Sequence, residues 1–379
     1  MGADERGYGI VKPQDYEFGE AGRGVRLDNG QEFGPITVRY ETYGTLNDAR
    51  SNAILVVHAF SGDAHVTGIH HPSDKHEGWW SGMVGPGKAF DTDKYFIICS
   101  NVLGGCQGST GPGSIDPETR KPYGLTFPVI TIHDMVEVQR KLLEQLGISS
   151  LLCVTGGSMG GMQALDWAVS YPDFVRSAIV LASTARLSAQ GIAFNAVGRN
   201  AIMSDPAWNE GNYYDGSPPG RGLATARMIG HITYLSDESM RVKFGRRLRK
   251  REAYGYDFAD LFEIESYLNY QGDKFVERFD ANSYIYLSKA MDYFDLGDRY
   301  GGLKEALART KAKFLLVSFT SDWLFPTYQS KEIVYGLMKS DKDVSFTEIS
   351  CPYGHDSFLL ETERQGEIVS SFLDTVNGK

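Results

Sequence analysis

The chain has 379 residues, 42% of them hydrophobic and 23% charged, with a formal net charge of −10. That size fills one large α/β unit or two smaller domains, and the acidic balance argues against a protein whose main task is wrapping nucleic acid, while leaving room for a local basic patch on a phosphate group. Cys99, Cys106, Cys153 and Cys351 are too sparse for a disulfide scaffold and lack metal-ligand spacing.

Residues 1–30 hold no apolar signal-peptide core, and no unbroken run of about 18 apolar residues occurs, so a cytoplasmic protein with no membrane partner is expected. In chain order, strand-like segments are PITVRYETYG (35–44), SNAILVVHAF (51–60), KYFIICSNV (94–102), LLCVTG (151–156), VRSAIVLAS (175–183), KFLLVSFTS (313–321) and VSFTEIS (344–350). Helix-length segments at 132–147 and 159–172 lie between several of them. Such alternation predicts an α/β fold with a mainly parallel central sheet covered on both faces. The rhythm breaks between about 186 and 305, where helical patterns such as LATARMIGHITYLS (223–236) and FEIESYLNYQGDKFVERF (262–279) run without a strand. The expected organisation is a core in two parts, 1–185 and 306–379, with a helical cap at 186–305 inserted before the strand that leads to Asp322.

Directly after LLCV comes TGGSMGG, in which Gly156, Ser158 and Gly160 meet the G-x-S-x-G pattern between a predicted strand and a predicted helix. A serine on that sharp turn is presented outward, and the helix start behind it offers free N–H groups to an oxygen anion. A serine hydroxyl needs a base, and the base an orienting group. TSDWLFP puts Asp322 just past one strand, and CPYGHDSFL puts His355 just past the next, so Ser158, Asp322 and His355 follow the chain order of an α/β-hydrolase triad. The HAFSGDAH loop (58–65) is placed to aim the Phe60 backbone N–H at the same anion as that of Met159. His58, Asp63, His65, His70 and His71 match no metal motif, and a serine triad requires none, so no metal is expected. The glycines of 101–114 form neither a P-loop nor a dinucleotide-binding turn and are read as a close-packed loop. A triad alone serves an esterase as well as a transferase.

HAFSGDAHVTG (58–68), WWSGMVGPGKAFDTDKYFIICSNVLGGCQGSTGP (79–112), GGSMGGMQALDWAVSYPD (156–173), ARMIGHITYLS (226–236), SDWLFP and GHDSFL together resemble the homoserine O-acetyltransferase family of the α/β-hydrolase superfamily, from about residue 15 to 375. The resemblance implies a CoA-dependent O-acyltransferase: Ser158 takes acetyl from acetyl-CoA and passes it to the hydroxyl of L-homoserine, with no tightly bound cofactor. It also implies that Arg227 and Asp356 hold the amino acid, a guanidinium on its carboxylate and a carboxylate on its ammonium, and that subunits pair as homodimers through their caps. Phe60 stands where the family commonly has leucine; its backbone N–H is unaffected by the change, and the larger ring is expected to narrow the acyl pocket. Succinyl transfer to homoserine is the nearest alternative, followed by acyl transfer to serine and by ester hydrolysis. The basic segment RVKFGRRLRKRE (241–252) reads as a solvent-facing, charge-rich helix rather than a CoA site.

Overall fold

The structure is a computed structural model that describes residues 8–250 and 252–378. Eight strands form one sheet: β1 (Gln14–Phe18), β2 (Ile36–Tyr43), β3 (Ala53–Val56), β4 (Phe96–Ser100), β5 (Cys153–Gly157), β6 (Ser177–Leu181), β7 (Lys313–Phe319) and β8 (Val344–Ile349). Their order is β1-β2-β4-β3-β5-β6-β7-β8, with β2 antiparallel to both its neighbours and every other pairing parallel. The central strands β3, β5 and β6 are buried at every residue, as strands covered on both faces must be. Alternate residues feed two cores: Leu55, Val154 and Val180 face one side, while Ile54, Cys153 and Ile179 face the other. The edge strand β1, QDYEF, is absent from the sequence reading because its residues are polar and half exposed, so no apolar run marks it.

Helices α1 (Ile132–Gln145) and α2 (Met159–Ser170) follow β4 and β5. Thr131 starts α1 with a reciprocal cap: its Oγ1 accepts from the Asp134 N–H at 3.2 Å, and Asp134 Oδ2 accepts from the Thr131 N–H at 2.8 Å. Between β6 and β7 come α3 (Ala189–Met203), α4 (Gly220–Tyr234), α5 (Asp237–Lys243), α6 (Glu263–Val276), α7 (Ala281–Asp292) and α8 (Leu303–Arg309), with no strand of the main sheet among them. Helix α4 packs against both α3 and α6, and α7, packed on α3, sends Tyr286, Leu287 and Ala290 into the main core. The expected boundary at 305 falls inside α8, which packs against α2 and against α9 (Thr327–Lys339). The chain closes with the short α10 (Ser357–Leu360) and the amphipathic α11 (Thr362–Val376).

Segment 241–252 is not one helix. Helix α5 stops at Lys243, and beyond it Arg247 pairs with Glu263 at 2.7 Å and Arg249 with Asp260 at 3.8 Å. Arg251 lies outside the described residues. These cations are spent on the acids at and before α6.

Candidate active site

Strand β5 turns into α2 within a single residue, Ser158, whose φ of 58° and ψ of −124° put it in a region that side chains seldom occupy. The turn is held by backbone: the Ser158 N–H donates to Leu181 O at 3.0 Å, and Ser158 O accepts from Ser183 Oγ at 2.7 Å. The flanking glycines are a matter of space. A Cβ on Gly160 would lie 2.2 Å from Val57 O, and one on Gly156 2.4 Å from the same oxygen. Strand β3, strand β5 and helix α2 therefore approach as closely as backbone allows, and the Ser158 side chain is left as the feature of the turn.

Beyond β7, Asp322 Oδ1 accepts the N–H groups of Leu324 at 3.0 Å and Phe325 at 2.9 Å, which fixes the carboxylate. Its other oxygen, Oδ2, lies 2.8 Å from His355 Nδ1. That contact assigns the proton to Nδ1 and leaves Nε2 as the free nitrogen. Burial, the largest single influence on His355, favours its neutral form, but the Asp322 charge and hydrogen bond, with Asp356 behind them, outweigh burial and hold the ring above its ordinary pKa. The His355 loop is tied to the Asp322 loop by the Gly354 N–H, which donates to Ser321 Oγ at 2.9 Å. Phe358 spans the gap to the serine turn: its ring lies 5.6 Å from the His355 ring and covers Gly157, where a Cβ would meet it at 2.4 Å.

Phe60 and Ser158 line the same pocket with Tyr234, Tyr284, Leu324 and Phe325. The Phe60 ring turns inward, edge-on to Tyr284 at 4.9 Å. Among the described residues, neither the Phe60 nor the Met159 N–H donates to a protein acceptor, so both remain available to an anion. A chain of buried amides sets the Phe60 loop: Trp167 Nε1 donates to Gln139 at 2.8 Å, Gln139 to Gln163 at 2.7 Å, and Gln163 to His58 O at 3.2 Å. His58 itself is structural, with Nδ1 2.8 Å from Ala59 O and Nε2 accepting from the Val102 N–H at 3.1 Å.

Arg227 projects from α4 and donates to Ser61 Oγ at 3.2 Å, its guanidinium 4.7 Å from the Phe275 ring centre and 5.5 Å from that of Tyr234. Asp356 is partly buried beside His355; burial raises its pKa, and the charges of His355 and Arg227 oppose that rise. The end of α4 is seated between the two catalytic-type loops, since Leu235 O accepts from Trp323 Nε1 at 3.0 Å and Ser236 Oγ donates to Pro352 O. Sequence reasoning missed Arg278, which donates to Ser61 O at 3.0 Å from the α6–α7 connection. Nothing in its local sequence marks it.

The α/β hydrolase fold family matches residues 52–362. The chain is 57% identical over 368 residues to a homoserine O-acetyltransferase of Methanosalsum zhilinae, covering 97% of this chain and 74% of that protein. The chain belongs to the homoserine O-acetyltransferase family. A solved homoserine O-acetyltransferase from Bacillus anthracis superposes with a TM-score of 0.90 at 32% identity, covering 96% of this chain and 98% of that one. Esterase E22 superposes with a TM-score of 0.88 at 34% identity, covering 96% and 100%. The homoserine O-acetyltransferase scaffold is thus close to that of an esterase, and the groups around the acceptor must carry the difference.

Two outcomes test this geometry. Gly160→Ala should destabilise the fold by about 1–3 kcal/mol, the usual cost of overpacking, because backbone stands where its Cβ must go; urea unfolding measures it, and an unchanged midpoint contradicts the close approach. If His355 takes the serine proton, activity should rise with pH through a midpoint above about 6.5, since only the neutral ring accepts a proton. Asp322→Asn should move that limb to lower pH and cut kcat roughly 10⁴-fold; a pH–rate profile reads both.

Proposed function

We propose that the chain transfers acetyl from acetyl-CoA to the side-chain hydroxyl of L-homoserine through an ester on Ser158. Ser158 Oγ attacks the thioester carbonyl while His355 Nε2 takes its proton and Asp322 holds the ring. The Phe60 and Met159 N–H groups receive the carbonyl oxygen as it becomes negative. Collapse breaks the C–S bond, and the CoA sulfur leaves with the proton held on His355. In the second half His355 deprotonates the homoserine hydroxyl, which attacks the acetyl ester and frees Ser158. The products are CoA and O-acetyl-L-homoserine, an intermediate toward methionine, and the scheme is ping-pong with no resident cofactor.

The observation that carries the amino-acid acceptor is Arg227. Among the described residues it forms no ion pair with a carboxylate: it donates to Ser61 Oγ, lies against the Phe275 ring and against the ring and hydroxyl of Tyr234, and acts on Asp356 only through its charge, so its forked donors are left unfilled by an acid. A substrate carboxylate supplies what the protein withholds, and Asp356 supplies the counterpart for an ammonium. An ester without charges has no use for either group. Acetyl is favoured over succinyl by the pocket beside Ser158: its lining is mainly apolar and aromatic, the Phe60 ring narrows it, and no lysine or arginine is among its lining residues. A succinyl carboxylate would be buried there without a cation to pair with, which is costly.

We also place the protein in the cytoplasm, consistent with the absence, among the described residues, of any helix long and apolar enough to cross a membrane. Homodimerisation through the caps fits the exposure of Ile192, Val197 and Met203 on α3.

Intact-protein mass spectrometry tests the chemistry. With acetyl-CoA alone, the wild type and Arg227→Ala should both gain one acetyl group, and Ser158→Ala none. Arg227→Ala should then lose about 30- to 100-fold in kcat/KM for homoserine, the worth of a charged hydrogen-bonded contact. An acetyl adduct persisting in Ser158→Ala would overturn the nucleophile, and unchanged homoserine kinetics in Arg227→Ala would overturn the clamp.

A further inference from the structure

On β2, away from the serine turn, the carboxylate of Glu41 is almost wholly buried yet meets two histidines of the 58–71 loop. His65 Nδ1 lies 3.0 Å from Oε2, and His70 Nε2 lies 2.6 Å from Oε1. The two imidazole rings are 3.9 Å apart, centre to centre. We propose that Glu41, His65 and His70 form a binding site for a divalent transition-metal ion of the zinc type. The inference does not rest on the assignment of acetyl transfer.

The donor set is the first argument. Two imidazole nitrogens and one carboxylate oxygen are a zinc-type set, and here one donor atom from each residue lies within 4.8 Å of the others. Arms of about 2.0–2.1 Å in tetrahedral geometry separate ligand atoms by roughly 3.3 Å, so an ion needs the two hydrogen-bonded contacts to open by less than about 1 Å and the widest separation, at most 4.8 Å, to close by no more than about 1.5 Å. His70 sits on an exposed turn, with 44% of its side chain accessible, and can make that movement. It also gives the ion a path from solvent and leaves a further coordination position open to water.

The surroundings are the second argument, because metal ligands are held in place by the groups behind them. Tyr43 Oη donates to Glu41 Oε2 at 2.6 Å and accepts from the Val66 N–H at 2.9 Å, so one tyrosine orients the carboxylate and the loop together. Asp74 Oδ2 accepts the backbone N–H groups of His70 at 3.0 Å and His71 at 2.9 Å, fixing the turn that presents His70. An ion here fastens the loop that carries Phe60 and Ser61 to the antiparallel side of the sheet. Local spacing gave no warning, since the third ligand lies 24 residues before His65 on another element.

The test uses the full-length protein after chelator treatment. Equilibrium dialysis against Zn²⁺ with elemental analysis gives stoichiometry, and Co²⁺ as a probe gives the visible absorption of a low-coordinate site. The expected result is one ion per chain and a rise in Tm with the ion present. His70→Gln should weaken binding at least tenfold and abolish the cobalt bands, while His71→Gln and Cys106→Ser leave both intact. His70 is exposed, so its replacement does not threaten folding. Binding well below one ion per chain, or equal binding by wild type and His70→Gln, would overturn the proposal and leave a hydrogen-bonded histidine–glutamate clasp. Loss in His71→Gln or Cys106→Ser instead would place the ion elsewhere and overturn it equally.

Discussion

The distance between Val57 O and the α carbons of Gly156 and Gly160 governs the rest of this structure. Strand β3 and the β5–α2 turn lie so close that a methyl group on either glycine would sit 2.4 Å or less from that carbonyl oxygen. This approach forces the chain to reverse within one residue, puts Ser158 at a positive φ, and brings the loop after β3 alongside the start of α2. An unusual backbone at one residue costs about 1–3 kcal/mol and persists only where its surroundings over-determine it. Here Leu181 O, Ser183 Oγ and the packed β3 edge do so. Residues with no sequence proximity, Phe60 and Met159, thereby come to flank the same serine.

The scaffold is shared with an esterase at a TM-score of 0.88, so the fold and the serine–histidine–aspartate arrangement leave the acceptor open. On the proposed function, transfer is separated from hydrolysis by charge placed around the site by the helices between β6 and β7. Helix α4 carries Arg227 two turns before Tyr234, so both share one face, and its C-terminal end is anchored to the loops that carry Asp322 and His355. In the proposed reaction, the segment that would recognise the amino acid is fixed to the segments that would move its proton.

Much of this was legible in the sequence where chemistry is local. The central strands stand out because burial on both faces demands continuous apolar runs, Ser158 and Asp322 stand out because each follows such a run, and His355 stands out by its glycine-flanked loop after the edge strand β8. The unreadable parts are those set by long-range contact. Strand β1 is a polar edge, and its pairing with β2 is its main qualification as a strand. Arg278 is one arginine among many until the fold lays it on Ser61. Glu41, His65 and His70 are far from any motif spacing, and the antiparallel strand β2 alone brings the carboxylate to the two rings. The segment at 241–252 misled in the opposite direction: its charge suggested a continuous exposed helix, yet Arg247 and Arg249 reach back to the acids of Glu263 and Asp260 instead.

The most direct test of the central claim is CoA release from acetyl-CoA and from succinyl-CoA, each with and without L-homoserine, with the amino-acid product weighed. Release from acetyl-CoA that depends on homoserine, and a product heavier than homoserine by one acetyl group, is the result expected of an apolar, cation-free pocket beside Ser158 and a charged acceptor clamp. Release that ignores homoserine would contradict transfer and place the protein with the esterases, and a preference for succinyl-CoA would contradict the assignment of the donor.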